Sequence, residues 1–139
     1  MLIAYLLIIL SLSVIITANS GWIFLFDPLS FLFILLVSFS LYYISHGWTG
    51  FRYLLLVLSN FLNRKKLPSG AKPYIQHLIA SIYKAGFIGT FIGLIILLNT
   101  YDIKDIGTQR HLADASLTLF YATILNEIFL RPIDHRLIH

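Results

Sequence analysis

Only a few side chains in this sequence could do chemistry, and most of those sit in strongly apolar surroundings. The 139 residues include no cysteine, which excludes disulfides and thiolate nucleophiles. Five histidines (His46, His77, His111, His135 and His139) fall at the ends of apolar runs or in the tail. Only His135 and His139, in the tail, are spaced as HxxxH, and one such pair falls short of the three or four ligands of a site, so no metal site is expected. No nucleophile–base set and no phosphate-binding loop stands out. What remains is a pair of hydroxyls, Thr90 in GFIGTFIGLIILL and Thr118 in LTLFYATIL, with two acids near the second, Asp114 and Glu127. A hydroxyl oxygen can ligate a hard cation or support water-mediated proton transfer. In lipid such a group is costly unless it lines a pathway or meets a partner. The chemistry on offer is ion handling, and neither enzyme activity nor a cofactor is expected.

The elements that must position these groups follow from composition. At 58% hydrophobic residues the chain is no ordinary soluble domain, and its length has room for about four crossings of ~20 residues each. Apolar runs predict spans at about 2–18, 28–44, 78–98 and 112–130, paired as two hairpins in a single membrane domain covering 1–139. The first run has no positive flank and no small-residue cleavage site, so it reads as a retained span. Asp27-Pro28 suits a helix start, with an acid at the cap and proline at the first turn. Arg131-Pro132 is expected to close the fourth span.

Charge placement sets the orientation. The net charge of +4 could suggest a nucleic-acid partner, but six of the ten Lys/Arg (Arg52, Arg64, Lys65, Lys66, Lys72 and Lys84) fall between Trp48 and Ala85, a stretch that takes in most of the middle loop and holds no acid. By the positive-inside rule the middle loop, 46–77, and both termini are cytoplasmic. Within it, GWTGFRYLLLVLSNFL is too apolar for free solvent, and its sixteen residues fall short of the 18 or so of a span. It reads as a short interfacial helix along the inner leaflet, or as an inner extension of the second span. The basic run 64–66 faces anionic headgroups, in the usual manner of a topology signal. The expected fold is all-α: four transmembrane helices plus this short cytoplasmic helix.

On the third span, Gly86, Gly89, Thr90 and Gly93 share one face of a helix of 3.6 residues per turn. Small residues at this spacing let another helix approach to backbone contact. Pattern alone leaves two uses open: a plain close crossing, with Thr90 bonded to its own preceding turn, or a surface shaped for an ion pathway.

The segments GFIGTFIGLIILLNTYDIKDIG and LTLFYATILNEIFLRPIDHRL resemble the last two spans of flagellar stator A-subunits of the MotA/PomA type, and more distantly the TolQ and ExbB proteins. The likeness covers 86–137 and extends weakly to the second span, through FDPLSFLFILLVSFS. It implies an ion-conducting subunit of an energy-transducing motor in the bacterial cytoplasmic membrane. It further implies a homopentamer enclosing a pair of single-span MotB/TolR/ExbD-like helices, each supplying an essential Asp. By the same likeness Thr90 and Thr118 lie on the ion pathway, while Gly86, Gly89, Gly93 and Tyr121 form the pore or packing face. Three departures stand beside it. Leu119 replaces a second threonine, Tyr83 replaces a proline, and a short middle segment replaces the large cytoplasmic domain that engages a rotor.

The two acids have alternative readings. Glu127 is either a proton relay near the inner mouth or an i,i+4 partner of Arg131. Asp114 is either an acid at the outer helix end or a residue where ions enter. Because Leu119 removes one oxygen from the hydroxyl set, the bias between Na⁺ and H⁺ is toward protons.

Overall fold

The computed structural model describes residues 10–11, 13–14, 27–63, 65–100 and 106–137, and among these every regular element is helical. Helix α1 (Pro28–Leu62) is followed by α2 (Lys72–Thr100) and α3 (Ile106–Ile124), which runs on through a π-helical turn (Leu125–Leu130) into the short α4 (Arg131–Arg136). Two helices, Pro28–Leu62 and Lys72–Asn99, are long and apolar enough to cross a membrane. The expected first span lies outside the described residues except for Leu10, Ser11, Ser13 and Val14, which are helical.

Helix α1 begins as its sequence predicts. The Asp27 carboxylate accepts the Leu29 N–H at 3.0 Å and the Ser30 hydroxyl, and proline follows in the first turn. The helix then breaks at Gly47, whose φ of 61° and ψ of −166° are non-helical. Positive φ is open to glycine at little steric cost. In a straight helix Phe39 and Phe51 would stand about 18 Å apart along the axis. Their rings lie 5.9 Å apart, and the Tyr42 hydroxyl reaches the Gly50 carbonyl at 3.3 Å, so the chain turns sharply here. The stretch after Gly47 is therefore no straight extension of the span before it.

Both limbs of α1 feed one core. Ile34 and Tyr42 from the first limb, Leu54 and Val57 from the second, and Ile75, Leu78 and Ile82 of α2 are buried together with Leu130 and Ile133. The second limb thus sets Leu54 and Val57 against the rest of the core, while its Trp48, Leu55, Leu56 and Leu62 stay exposed. Helix α2 starts at Lys72, earlier than the span boundary read from hydropathy, and the connection expected between the third and fourth spans is shortened by helix at both ends.

Pro132 does not end the last helix. It cannot donate to the carbonyl four residues back, and in a regular α-helix its ring would collide with that carbonyl. The π-turn accommodates both problems: the Arg131 N–H bonds the Asn126 carbonyl, five residues earlier, and helix continues to Arg136. The expected stop at Arg131-Pro132 is corrected accordingly.

Candidate functional site

Helices α2 and α3 form an antiparallel hairpin along the glycine face. A methyl group added at Gly86 would lie 2.5 Å from Cβ of Ala122, at Gly89 3.0 Å from Cγ2 of Thr118 and 2.9 Å from the Phe33 ring, and at Gly93 2.7 Å from Cβ of Ala115. The partners Ala115, Thr118 and Ala122 recur at helical spacing, so a stripe of small residues on α3 meets the glycine stripe on α2. The close approach that the glycines permit is thus made within the chain. The resemblance implied that this face makes room for partner helices; here the chain's own last helix covers it.

At the middle of this seam the two predicted hydroxyls meet. Thr90 Oγ1 and Thr118 Oγ1 are 2.8 Å apart. Thr118 has one proton to donate, and the carbonyl of Ala115 at 3.1 Å and that of Gly86 at 3.4 Å are both in reach. With that proton on a carbonyl, Thr90 is the donor in the pair. Thr90 is consequently satisfied across the helix interface and not by its own preceding turn. Thr118 is buried, and Thr90 is half-buried.

Beside Thr118 lies a cavity of about 460 Å³ between the start of α1 and the glycine seam. Its polar lining comprises Asp27, Ser30, Asp114 and Thr118, set among apolar groups such as Phe33 and Ile96. Asp27 was predicted only as a helix cap; the fold places it at the same cavity as Asp114. Its backbone N–H also donates to the Tyr121 hydroxyl at 2.9 Å, and the Tyr121 ring meets Phe31 edge-on at 5.9 Å. Tyr121 therefore ties α1 to α3, a placement that spacing alone does not reveal. Two acids and two hydroxyls in one cavity favour cations and water over anions. Below Thr118 the contact of Ala122 with Gly86 narrows the seam, so the route along this hairpin is constricted there.

Glu127 sits two turns further along. Its Oε1 lies 3.1 Å from Arg131 Nε and accepts the Tyr83 hydroxyl at 2.6 Å. The i,i+4 pair was legible in the sequence; the tyrosine, from the helix opposite, was not. The neighbouring Asn126 is fully buried, donates to the Ile79 carbonyl at 3.0 Å and has no partner for its Oδ1. A second arrangement missed by spacing is the imidazole pair His46 and His77, 4.6 Å between ring centroids, stacked among Tyr42 and Tyr74. Among the described residues no group of three or more metal-ligating side chains converges.

No protein-family model, curated protein or solved structure matches this chain. The likeness of residues 86–137 to stator A-subunits accordingly rests on motif and spacing.

Proposed function

We propose that the chain is an ion-conducting subunit of a membrane complex driven by a proton gradient. Four spans would be arranged with both termini and the basic segment in the cytoplasm, and several copies would ring a single-span partner that contributes an essential carboxylate. The observation that carries this reading is the Thr90–Thr118 hydroxyl pair, 2.8 Å apart, beside a cavity shared by Asp27 and Asp114. In the proposed orientation that cavity opens toward the outside, where acids raise the local cation concentration. The constriction at Gly86 and Ala122 gives the ring a reason to exist. The hairpin offers no wide path of its own, so conduction would pass between this chain and a neighbour. The outward side of α2 suits that contact: Phe87, Phe91, Ile95 and Leu98 are half or more exposed there. Leu119 leaves two hydroxyls where the family has three, which favours protons over Na⁺. A transport phenotype that required sodium and ignored a protonophore would contradict that preference.

A second reading, a non-conducting assembly protein, is favoured by one observation: the glycine face is already filled by Ala115, Thr118 and Ala122 of the same chain. Images of the complex purified from its native membrane separate the two. The conducting reading expects a closed ring with density along its axis; a monomer, or a compact dimer without a central space, leaves only the assembly role. Topology is checked in parallel. Reporters placed after His139 and near Ser69 should read cytoplasmic and one at Lys104 external, and a cytoplasmic Lys104 would overturn the four-span arrangement.

A further inference from the structure

At the end of the molecule away from the acid-lined cavity, the stretch from Phe61 to Lys72 and the distant Arg136–Leu137 together line a basic pocket of about 840 Å³. Lys65 and Lys66 come from the irregular link after α1, Lys72 from the first residue of α2, and Arg136 from the last residue of α4. Its lining contains no acid. Four cations held around one space repel each other, and each gains when an anion enters it.

The walls of this pocket are fixed. Pro68 to Ala71 form a β-turn closed by the Ala71 N–H on the Pro68 carbonyl at 3.4 Å, with Gly70 at φ 84° in the position that requires positive φ. The Tyr53 hydroxyl holds the turn through the Ser69 carbonyl at 3.0 Å, and the Lys65 N–H bonds the Asn60 carbonyl at 2.8 Å. The Arg136 guanidinium lies 5.0 Å from the centre of the Phe61 ring, which sets its place at the rim.

The electrostatics of α2 point the same way. A lysine at the first residue of a helix stands at the positive end of the helix dipole, and no acid occupies that first turn to offset it. The remaining lining residues include Phe61, Leu67 and Leu137, an apolar wall that a small inorganic ion would not use.

We propose that this pocket binds the phosphate of an anionic ligand, with the apolar wall favouring a phospholipid headgroup over a free phosphate. Basic pockets of this kind between helices on the cytoplasmic side recognise such headgroups. The site is separate from the hydroxyl seam and does not depend on conduction.

The test uses the full chain purified in a neutral detergent, with lipid retention read by native mass spectrometry. Phosphatidylglycerol should bind at least about tenfold more tightly than phosphatidylcholine. Lys66→Gln with Arg136→Gln should remove that preference, whereas Lys84→Gln, an exposed cation outside the pocket, should leave it within about twofold. Lys65→Gln with Lys66→Gln changes only exposed side chains, so it keeps the test valid if loss of the Arg136–Phe61 contact unfolds the first variant. Inorganic phosphate at millimolar concentration distinguishes the sources. Failure to displace the lipid supports the headgroup; displacement, or phosphate binding without a lipid preference, assigns the pocket to a soluble phosphate. Equal retention of the two lipids with no phosphate effect overturns the proposal, and so does an undiminished preference in both pocket variants.

Discussion

The hairpin of α2 and α3 is built on two different principles along its length. From Gly93 to Gly86 it is a narrow seam, in which glycines meet Ala115, Thr118 and Ala122 and the polar content is one pair of hydroxyls. From Tyr83 back to Ile79 the helices are bridged by larger polar side chains. There Tyr83 bridges to Glu127, Arg131 pairs with the same carboxylate, Asn126 caps a carbonyl of the opposite helix, and the last helix expands into a π-turn. The contrast follows from side-chain size. Where helices touch backbone to backbone, only a short hydroxyl fits between them, and its bonds are fixed by the backbone. Where the facing side chains are larger, longer polar groups bridge the helices and find partners with rotameric freedom. A fixed hydroxyl pair suits ion handling at one height, and the adjustable cluster suits an interface with water.

The two halves should respond very differently to substitution. Gly89→Leu places a branched side chain where even a methyl group meets Thr118 at 3.0 Å and Phe33 at 2.9 Å. Much of what it strikes is close to backbone, so the helices must separate. Destabilisation by about 3 kcal/mol is expected in a detergent-denaturation titration, with the spans still inserted. A variant as stable as the wild type would mean that the seam is not close-packed.

In the polar-bridged half the effects are smaller. Asn126→Ala removes the bond to the Ile79 carbonyl, which lies within α2 and keeps its helical partner, so the loss should be about 0.5–1.5 kcal/mol in the same titration. Smaller still is Tyr83→Phe. Glu127 keeps Arg131 and is exposed to water, so the loss should stay below about 1 kcal/mol. If Tyr83→Phe proved as harmful as Gly89→Leu, the contrast between the halves would collapse.

Much of the narrow seam is legible in the sequence, because helical periodicity alone puts Gly86, Gly89, Thr90 and Gly93 on one face. The identity of what covers that face is not. Ala115 and Ala122 are unremarkable in a span, and only the antiparallel hairpin aligns them with the glycines. The Glu127–Arg131 pair is local and therefore readable, whereas Tyr83 and Tyr121 reach partners 44 and 94 residues away, which no spacing rule encodes. Pro132 misleads for a definite reason: its helix-breaking effect is absorbed by the six-residue π-turn that precedes it. Gly47, by contrast, lies where a change in apolar length hints at a boundary, and the backbone turns there.

The central claim is that the hydroxyl pair serves an ion. Valine at position 118 keeps the branched shape that fits against Gly89 and removes only the oxygen. Proton flux should therefore be measured in proteoliposomes holding the complex purified from its native membrane, in sodium-free buffer, for wild type and Thr118→Val. The account predicts dissipation of an imposed pH gradient by the wild type, and a loss of tenfold or more (about 1.4 kcal/mol in barrier height) in a variant that still assembles. Wild-type complex no leakier than protein-free vesicles, or a Thr118→Val complex conducting at the wild-type rate, would contradict it.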